Sequence, residues 1–329
     1  MKKIITIPLK ILGWIVSILL ALVLLVFVAE KLIFGSFFFT GAKVEMMIPG
    51  LWTNFVPQGF DQVDEDTYLM SGYDKSETEP SMIYVLDGDK EICCKLYNQD
   101  GTAYTSHAGG VTHFGDFVYV ANDTHEENTY CDMFSLADIL DGDGKATTSD
   151  RIEIPNRMAY CSVYDGKLYA GAFYREGSQY LTPDWHHLQT PAGDQNTALM
   201  LVYTLDETTG KPVSNAPEHA YSTLSNVQGM CFTASGKMVL STSWGLNASN
   251  LYVYDVATAH TGTMDFNGTQ LSVTYLDSDS LVQTVTAPPM SEELVYQNGR
   301  VYILTESASM KYIFGKIMSG NFVQSYPIA

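Results

Sequence analysis

Five times along the chain one short pattern recurs, and that recurrence limits the fold more than any other feature of the sequence. Each copy has a small or Gly-containing entry, an apolar run, a polar turn, and a Tyr- or Val-rich run that ends in polar residues. The copies cover residues 57–74, 107–123, 158–175, 227–244 and 292–307. Their turns are Asp64-Glu65-Asp66, Phe114-Gly115-Asp116, Asp165-Gly166-Lys167, Ser235-Gly236-Lys237 and Asn298-Gly299-Arg300. Gly or Asn supplies the positive φ that a tight reversal requires, so each copy reads as a β-hairpin. A third strand-like stretch comes next in most copies, over residues 81–87, 198–206 and 250–255.

Strand-only repeats that start roughly 50 to 70 residues apart predict an all-β chain folded as a β-propeller. The countable units give five blades, and residues 260–286 leave room for a degenerate sixth. The segments Tyr164-Asp165-Gly166-Lys167-Leu168-Tyr169 and Gln297-Asn298-Gly299-Arg300-Val301-Tyr302 resemble inner hairpins of the broad superfamily of NHL-repeat, gluconolactonase and YVTN-type propellers, many of them bacterial and membrane-anchored or secreted. The resemblance covers about residues 50–310 and implies the fold, since unrelated functions share such scaffolds.

Ahead of the repeats, Lys2, Lys3 and Lys10 precede residues 11–29, which hold no charged side chain. As a helix that run spans roughly 28 Å, enough to cross a bilayer. It exceeds the apolar stretch of a secretory signal, so an uncleaved signal anchor is the expectation, with cleavage after Thr40-Gly41-Ala42 as the alternative. The leading lysines place the N-terminus in the cytoplasm. The division expected is a stub and transmembrane anchor over residues 1–40 and an extracytoplasmic propeller over residues 41–329. The bilayer is then one partner.

The 329 residues carry 18 basic and 37 acidic side chains, a net charge of −19. Four of the lysines lie within the first 40 residues, so the exported part is more acidic still. Nucleic acid is excluded as a partner, because phosphate neutralisation needs a basic surface. Neither a G-x-S-x-G elbow, a P-loop nor an H-E-x-x-H pair occurs. Asp141-Gly142-Asp143-Gly144-Lys145 starts like a calcium loop, then puts Lys145 where an oxygen ligand belongs. Three glycosylation sequons begin at Asn122, Asn247 and Asn267. Five cysteines leave at least one thiol unpaired, and their spacing fits no zinc site. Cys161 and Cys231 each stand six residues before the lysine of their turn, where Val111 and Leu294 stand in other copies, which predicts two equivalent core thiols.

Propeller geometry nominates a site. The first strand of each blade enters from one rim of the central channel and the second returns to it. The entry residues Gln58, His107, Gln228, Glu292 and Glu293 are therefore expected around the same mouth as the exit residues Asp74, Asp123, Arg175, Trp244 and Glu306. A long insertion over residues 176–196, with Trp185, His186 and His187, enlarges that rim. Three classes of function fit: a tethered module that binds a peptide, glycan or small molecule at the mouth; a calcium-dependent lactonase or esterase; and a scaffold of an envelope assembly. The hydrolase reading comes from the resemblance and would take Glu292, Glu293, Glu306, Gln58 and Asn122 as calcium ligands, although Gln58 stands where that family has a glutamate.

Overall fold

The turns reverse the chain where the sequence places them. Asp165 and Asn298 adopt φ of 51° and 52°, and Gly166 and Gly299 come after them at 69° and 76°, the two positive values a two-residue hairpin turn needs. The computed structural model describes residues 2–122 and 129–329.

The hairpins grow into five blades. Blade 1 comprises Phe55–Gln62, Thr67–Asp74, Met82–Asp87 and Lys90–Tyr97. Blade 2 comprises Val111–Phe114, Phe117–Asn122, Thr129–Ser135 and Asp150–Ile154. Blade 3 is Met158–Tyr164, Lys167–Ala172, Ala198–Thr204 and His219–Thr223, and blade 4 is Val227–Phe232, Met238–Thr242, Ser249–Tyr254 and Leu281–Ala287. Blade 5 takes Ser291–Gln297, Arg300–Thr305 and Phe322–Pro327 from the C-terminal end and its outer strand, Lys43–Met47, from the other end of the chain. That pairing closes the ring, and the first strands of successive blades touch one another all the way round.

No sixth blade forms among the described residues. The hairpin of His260–Phe266 and Thr269–Tyr275 interrupts blade 4, yet its second strand pairs in parallel with His219–Thr223 and extends the sheet of blade 3. A hairpin alone is too small to bury its own apolar face, so Met264, Leu271 and Val273 join the core between blades 2 and 3.

Each gap between neighbouring blades is filled by its own apolar cluster. The two cysteines expected to be equivalent are not. The blade 3 turn is two residues, between Tyr164 and Lys167, whereas in blade 4 Phe232 pairs with Met238 across a longer loop. Counting back from the lysine therefore slips by one residue. Met230 occupies the place of Cys161, and Cys231 faces the other way. Cys161 packs beside Cys131 between blades 2 and 3, and Cys231 packs between blades 4 and 5. Both thiols are buried, as core thiols should be; a hydrogen bond with Cys131, then burial, holds Cys161 well above the usual thiol range, and burial does the same for Cys231.

The N-terminal helix Lys2–Ile33 includes a segment, Lys10–Ile33, long and apolar enough to cross a membrane, and none of its apolar run is covered by the propeller. The junction at the end of the helix is covered. Phe34 and Phe37 are buried in the cluster between blades 4 and 5, and Phe37 stacks on Tyr326 with centroids 5.3 Å apart. Glu30 is 2% exposed and accepts hydrogen bonds from the Ser319 backbone N–H at 3.0 and 3.1 Å. Glu30, Phe34 and Phe37 thus pack against the propeller wall.

Candidate functional site

The mouth owes its shape to an irregularity repeated in the first strands. Pairing with the second strand skips one residue between Pro57 and Gly59, between Met158 and Tyr160, and between Val227 and Gly229, and it shifts again between Ser291 and Leu294. A β-bulge leaves one residue unpaired and re-aims its side chain. Gln58, Ala159, Gln228 and Glu292 are the residues so displaced, with Gly109 at the matching place in blade 2. Met290, two residues before the Glu292 bulge, is held at φ 64°, and Arg157 and Asn226 stand at the same offset with φ of 51° and 62°. For a side chain as long as methionine or arginine such a φ costs roughly 1 kcal/mol or more, so the entries to blades 3 and 5 are held under local strain, whereas Asn226 takes the conformation readily.

The bulged side chains meet exit-side groups in a pocket of about 320 Å³. Gln58 donates from Nε2 to Glu306 Oε2 at 3.0 Å, and Gln228 donates to Glu292 Oε1 at 3.4 Å. Aromatic rings wall the space above these pairs. Phe173 and Trp244 stack at 6.2 Å, and Tyr180 meets both edge-on. Across the pocket Lys311 donates from Nζ to the Tyr73 hydroxyl at 2.6 Å, with Tyr312 beside it. The Tyr73 and His107 rings are 4.8 Å apart, and the Arg175 guanidinium lies 5.0 Å from the centre of the Trp244 ring.

Gln58, His107, Gln228, Trp244 and Glu306 thus line one pocket, and Arg175 backs its Trp244 wall. Asp74 opens instead onto an adjoining cleft of about 200 Å³ that shares Tyr73 and His107, and its carboxylate accepts the Ser76 backbone N–H at 2.9 Å. Glu292 is buried beneath the pocket floor. Asp123 lies outside the described residues. In the blade 3 insertion, His186 is fully buried without a hydrogen bond and burial pulls its imidazole down to about 3, whereas the His187 ring lies against Tyr174 with Nε2 3.0 Å from Thr182 Oγ1. Sequence reasoning missed Tyr73, Lys311 and Tyr312. The signal for the last two was the length of the blade 5 connection, residues 306–321, in which they lie.

Glu293 sits deeper. An alanine Cβ at Gly110 would lie 2.8 Å from Glu293 Oε2, and one at Gly229 would lie 3.0 Å from Oε1. The carboxyl, carried by blade 5, therefore stands between blades 2 and 4, on the propeller axis. The backbone N–H groups of Met230 and Val111 face the carboxyl and favour its charged form, but burial, then Cys161, outweigh them and hold the group far above the ordinary carboxyl range. Glu293 thus closes the channel below the pocket, where burial favours its protonated form.

Glu292 and Glu306 influence each other through their charges. Burial and then the Glu306 charge push Glu292 well up, and burial raises Glu306 to about 7 against the opposing pull of Lys311 and Gln58. Both shifts favour the protonated form, in which a carboxyl can both donate and accept. A carboxyl whose pKa is higher in the folded chain stabilises the fold most below its ordinary value of 4.5 and loses that contribution as pH rises through about 7. Glu306→Gln should therefore gain roughly 1–3 kcal/mol relative to the unmodified protein between acid and neutral pH, read from denaturant unfolding at several pH values. Parallel curves would show that Glu306 ionises normally.

A calcium ion takes six to eight oxygen ligands. Among the described residues no three His, Cys, Asp or Glu side chains converge as a metal site, and the Asn122 amide donates to Asp132 at 2.7 Å, away from the glutamates. The ligand set that the resemblance implied is not assembled. A larger open groove of about 900 Å³ runs outside blades 2 and 3, but its cations are already paired, Arg151 with the buried Asp132 at 3.1 Å and Lys211 with Asp150.

No family model matches the sequence, and no curated protein is similar to it. Among solved structures, the chain is similar to the PQQ-bound aldose sugar dehydrogenase of Streptomyces coelicolor, at 16% identity and a TM-score of 0.48 over 80% of this chain and 78% of that one. It is also similar to a putative oxidoreductase (glucose dehydrogenase) of Thermus thermophilus, at 13% identity and a TM-score of 0.44 over 88% of this chain and 100% of that one. A putative 6-phosphogluconolactonase of Bacteroides uniformis is similar at 8% identity and a TM-score of 0.36, over 74% and 62% of the two chains. The likeness stays at the level of the fold, and what those proteins bind stays with them.

Proposed function

We propose that this chain is a membrane-tethered, extracytoplasmic propeller that binds a hydroxyl-rich ligand of the glycan class at its channel mouth. The observation that carries the reading is the pairing of two amide–carboxyl couples, Gln58 with Glu306 and Gln228 with Glu292, at a pocket that the rings of Phe173, Tyr180 and Trp244 also line. An amide and a part-protonated acid each offer donors and acceptors at once, as hydroxyl groups do. Flat aromatic faces take the apolar face of a sugar ring, and a 320 Å³ pocket suits one or two such rings. The apolar N-terminal helix supports the tether.

Purified full-length protein in detergent, screened by thermal shift and then titrated with a panel of neutral and acidic oligosaccharides, tests this. Trp244→Ala or Gln228→Leu should weaken binding about tenfold or more, the usual loss at a central contact. The far-side control Asp64→Asn should bind unchanged. Binding that is indifferent to both mouth variants, or a panel without a binder, would refute the reading.

A further inference from the structure

The mouth pocket has a direction relative to the helix. First strands enter from the mouth and second strands return to it, so the link between the second and third strands of each blade lies on the mouth side. In blade 5 this link, residues 306–321, supplies Lys311 and Tyr312 to the pocket and Ser319 to the buried Glu30 at the end of the helix. From Glu30 the chain descends the wall. Phe34 and Phe37 enter the core between blades 4 and 5, Thr40 meets the Tyr326 hydroxyl at 2.8 Å, and the Gly41 carbonyl accepts from Arg300 in the far-side turn. The closing strand then climbs back, with Lys43 opposite Ser325 and Met47 opposite Phe322. Because the chain runs from the mouth rim to the far side after Glu30, the helix that precedes Glu30 projects away from the mouth rim.

We infer that the mouth rim is a bilayer-docking surface, held against the membrane that the helix spans, so that ligand reaches the pocket from the lipid headgroup layer. This rests on the tethered reading above. The rim fits such a partner. Trp52 is 80% exposed, and Leu246, Leu181 and Ile317 are exposed as well; all lie on mouth-side links, contributed by four different parts of the ring. The Lys316 ammonium stands 4.2 Å from the centre of the Trp52 ring, an aromatic and a cation placed together as at a membrane interface. Acidic side chains are exposed on both faces, Asp64-Glu65-Asp66 and Asp89 in the far-side turns and Glu77, Glu79 and Glu176 on the mouth-side links, so the exposed aromatic and apolar side chains with Lys316, and not net charge, mark the rim. Glu30, Phe34 and Phe37 make the junction rigid, so the orientation is fixed by packing and is not left to a flexible tether.

The test uses the full chain, with Cys93→Ser to remove the half-buried native thiol, reconstituted in vesicles of phosphatidylcholine with a minority of phosphatidylglycerol. Single cysteines at exposed sites, Trp52→Cys and Leu246→Cys on the rim and Asp64→Cys and Asp165→Cys on the far side, carry an environment-sensitive fluorophore. A spin label on the lipid headgroup should quench the rim probes about twofold or more beyond the far-side probes, and aqueous iodide should show the reverse order. Equal quenching of both sets, or stronger lipid quenching of the far side, overturns the inference while leaving ligand binding in detergent untouched. Release of the chain by carbonate would remove the tether and the inference together.

Discussion

Phe37→Ala lowers the unfolding free energy of the full-length chain by about 3–5 kcal/mol, the usual result of emptying a buried aromatic site. Phe37 is 1% exposed and packs with Val285, Ala287, Leu294 and Ile303 between blades 4 and 5, while its ring covers Tyr326. The size of the effect separates two descriptions of residues 30–42. A flexible tether would lose nothing on truncation of one side chain. A docked segment loses a core residue, and blade 5, which already depends on the N-terminal strand Lys43–Met47 for its outer edge, loosens first. Urea unfolding followed by near-UV circular dichroism reads the difference, with Phe39→Ala as a control because that ring is 72% exposed. Equal midpoints for the two variants would show that the helix hangs free of the propeller.

Gly110→Ala is expected to destabilise by about 3 kcal/mol or more, at the upper end of overpacking changes. The added Cβ would lie 2.4 Å from the Cys161 backbone nitrogen and 3.0 Å from the Tyr160 Cα, atoms of the next blade's first strand that cannot rotate aside. It would also press on Glu293 Oε2 at 2.8 Å. The same approach recurs at Gly59, where a Cβ would meet the Val111 nitrogen at 2.4 Å, so the ring is as narrow as these glycines permit. Gly115→Ala, in an open turn with nothing within 4 Å but a φ of 56°, should cost about 1 kcal/mol, from backbone strain alone. Thermal unfolding of the two variants compares crowding at the axis with strain at the surface. A Gly110→Ala protein as stable as the Gly115→Ala protein would contradict the close approach of the first strands.

Four of the hairpins were legible because Gly or Asn at the turn has a local backbone cause, and the first because Asp64-Glu65-Asp66 puts a polar break between two apolar runs; together they give five blades. Ring closure was not, since Lys43–Met47 pairs with Phe322–Pro327 across almost the whole chain and its own residues carry no turn or alternation signal. The hairpin at 260–275 read as strands correctly, but whether it founds a blade or joins one depends on which edge is free nearby. Within the site, Gln58 and Gln228 stood out as Gln-Gly pairs at blade entries. The repeat pattern aligned them with Ala159, but in blade 5 it put Glu293 where the strand pairing puts Glu292, because one extra residue in a strand leaves no mark in composition. The carboxyl pKa values depend on burial, which no count of acidic residues supplies. Cys231 shows the reverse error, a position inferred from turn spacing that one longer loop displaced.

Ligand at the channel mouth is the central claim, and the chain's tryptophans report on it directly. Trp244 lines the mouth, Trp185 lines the larger groove outside blades 2 and 3, Trp52 stands on the rim and Trp14 lies in the helix. In a nitrogen-15 labelled full-length sample, with each indole N–H signal assigned by single substitution, titration with the tightest-binding oligosaccharide should shift Trp244 progressively and saturably while Trp185 and Trp14 stay in place. A shift confined to Trp185, with Trp244 unmoved at saturation, would place the ligand in the outer groove and contradict the account.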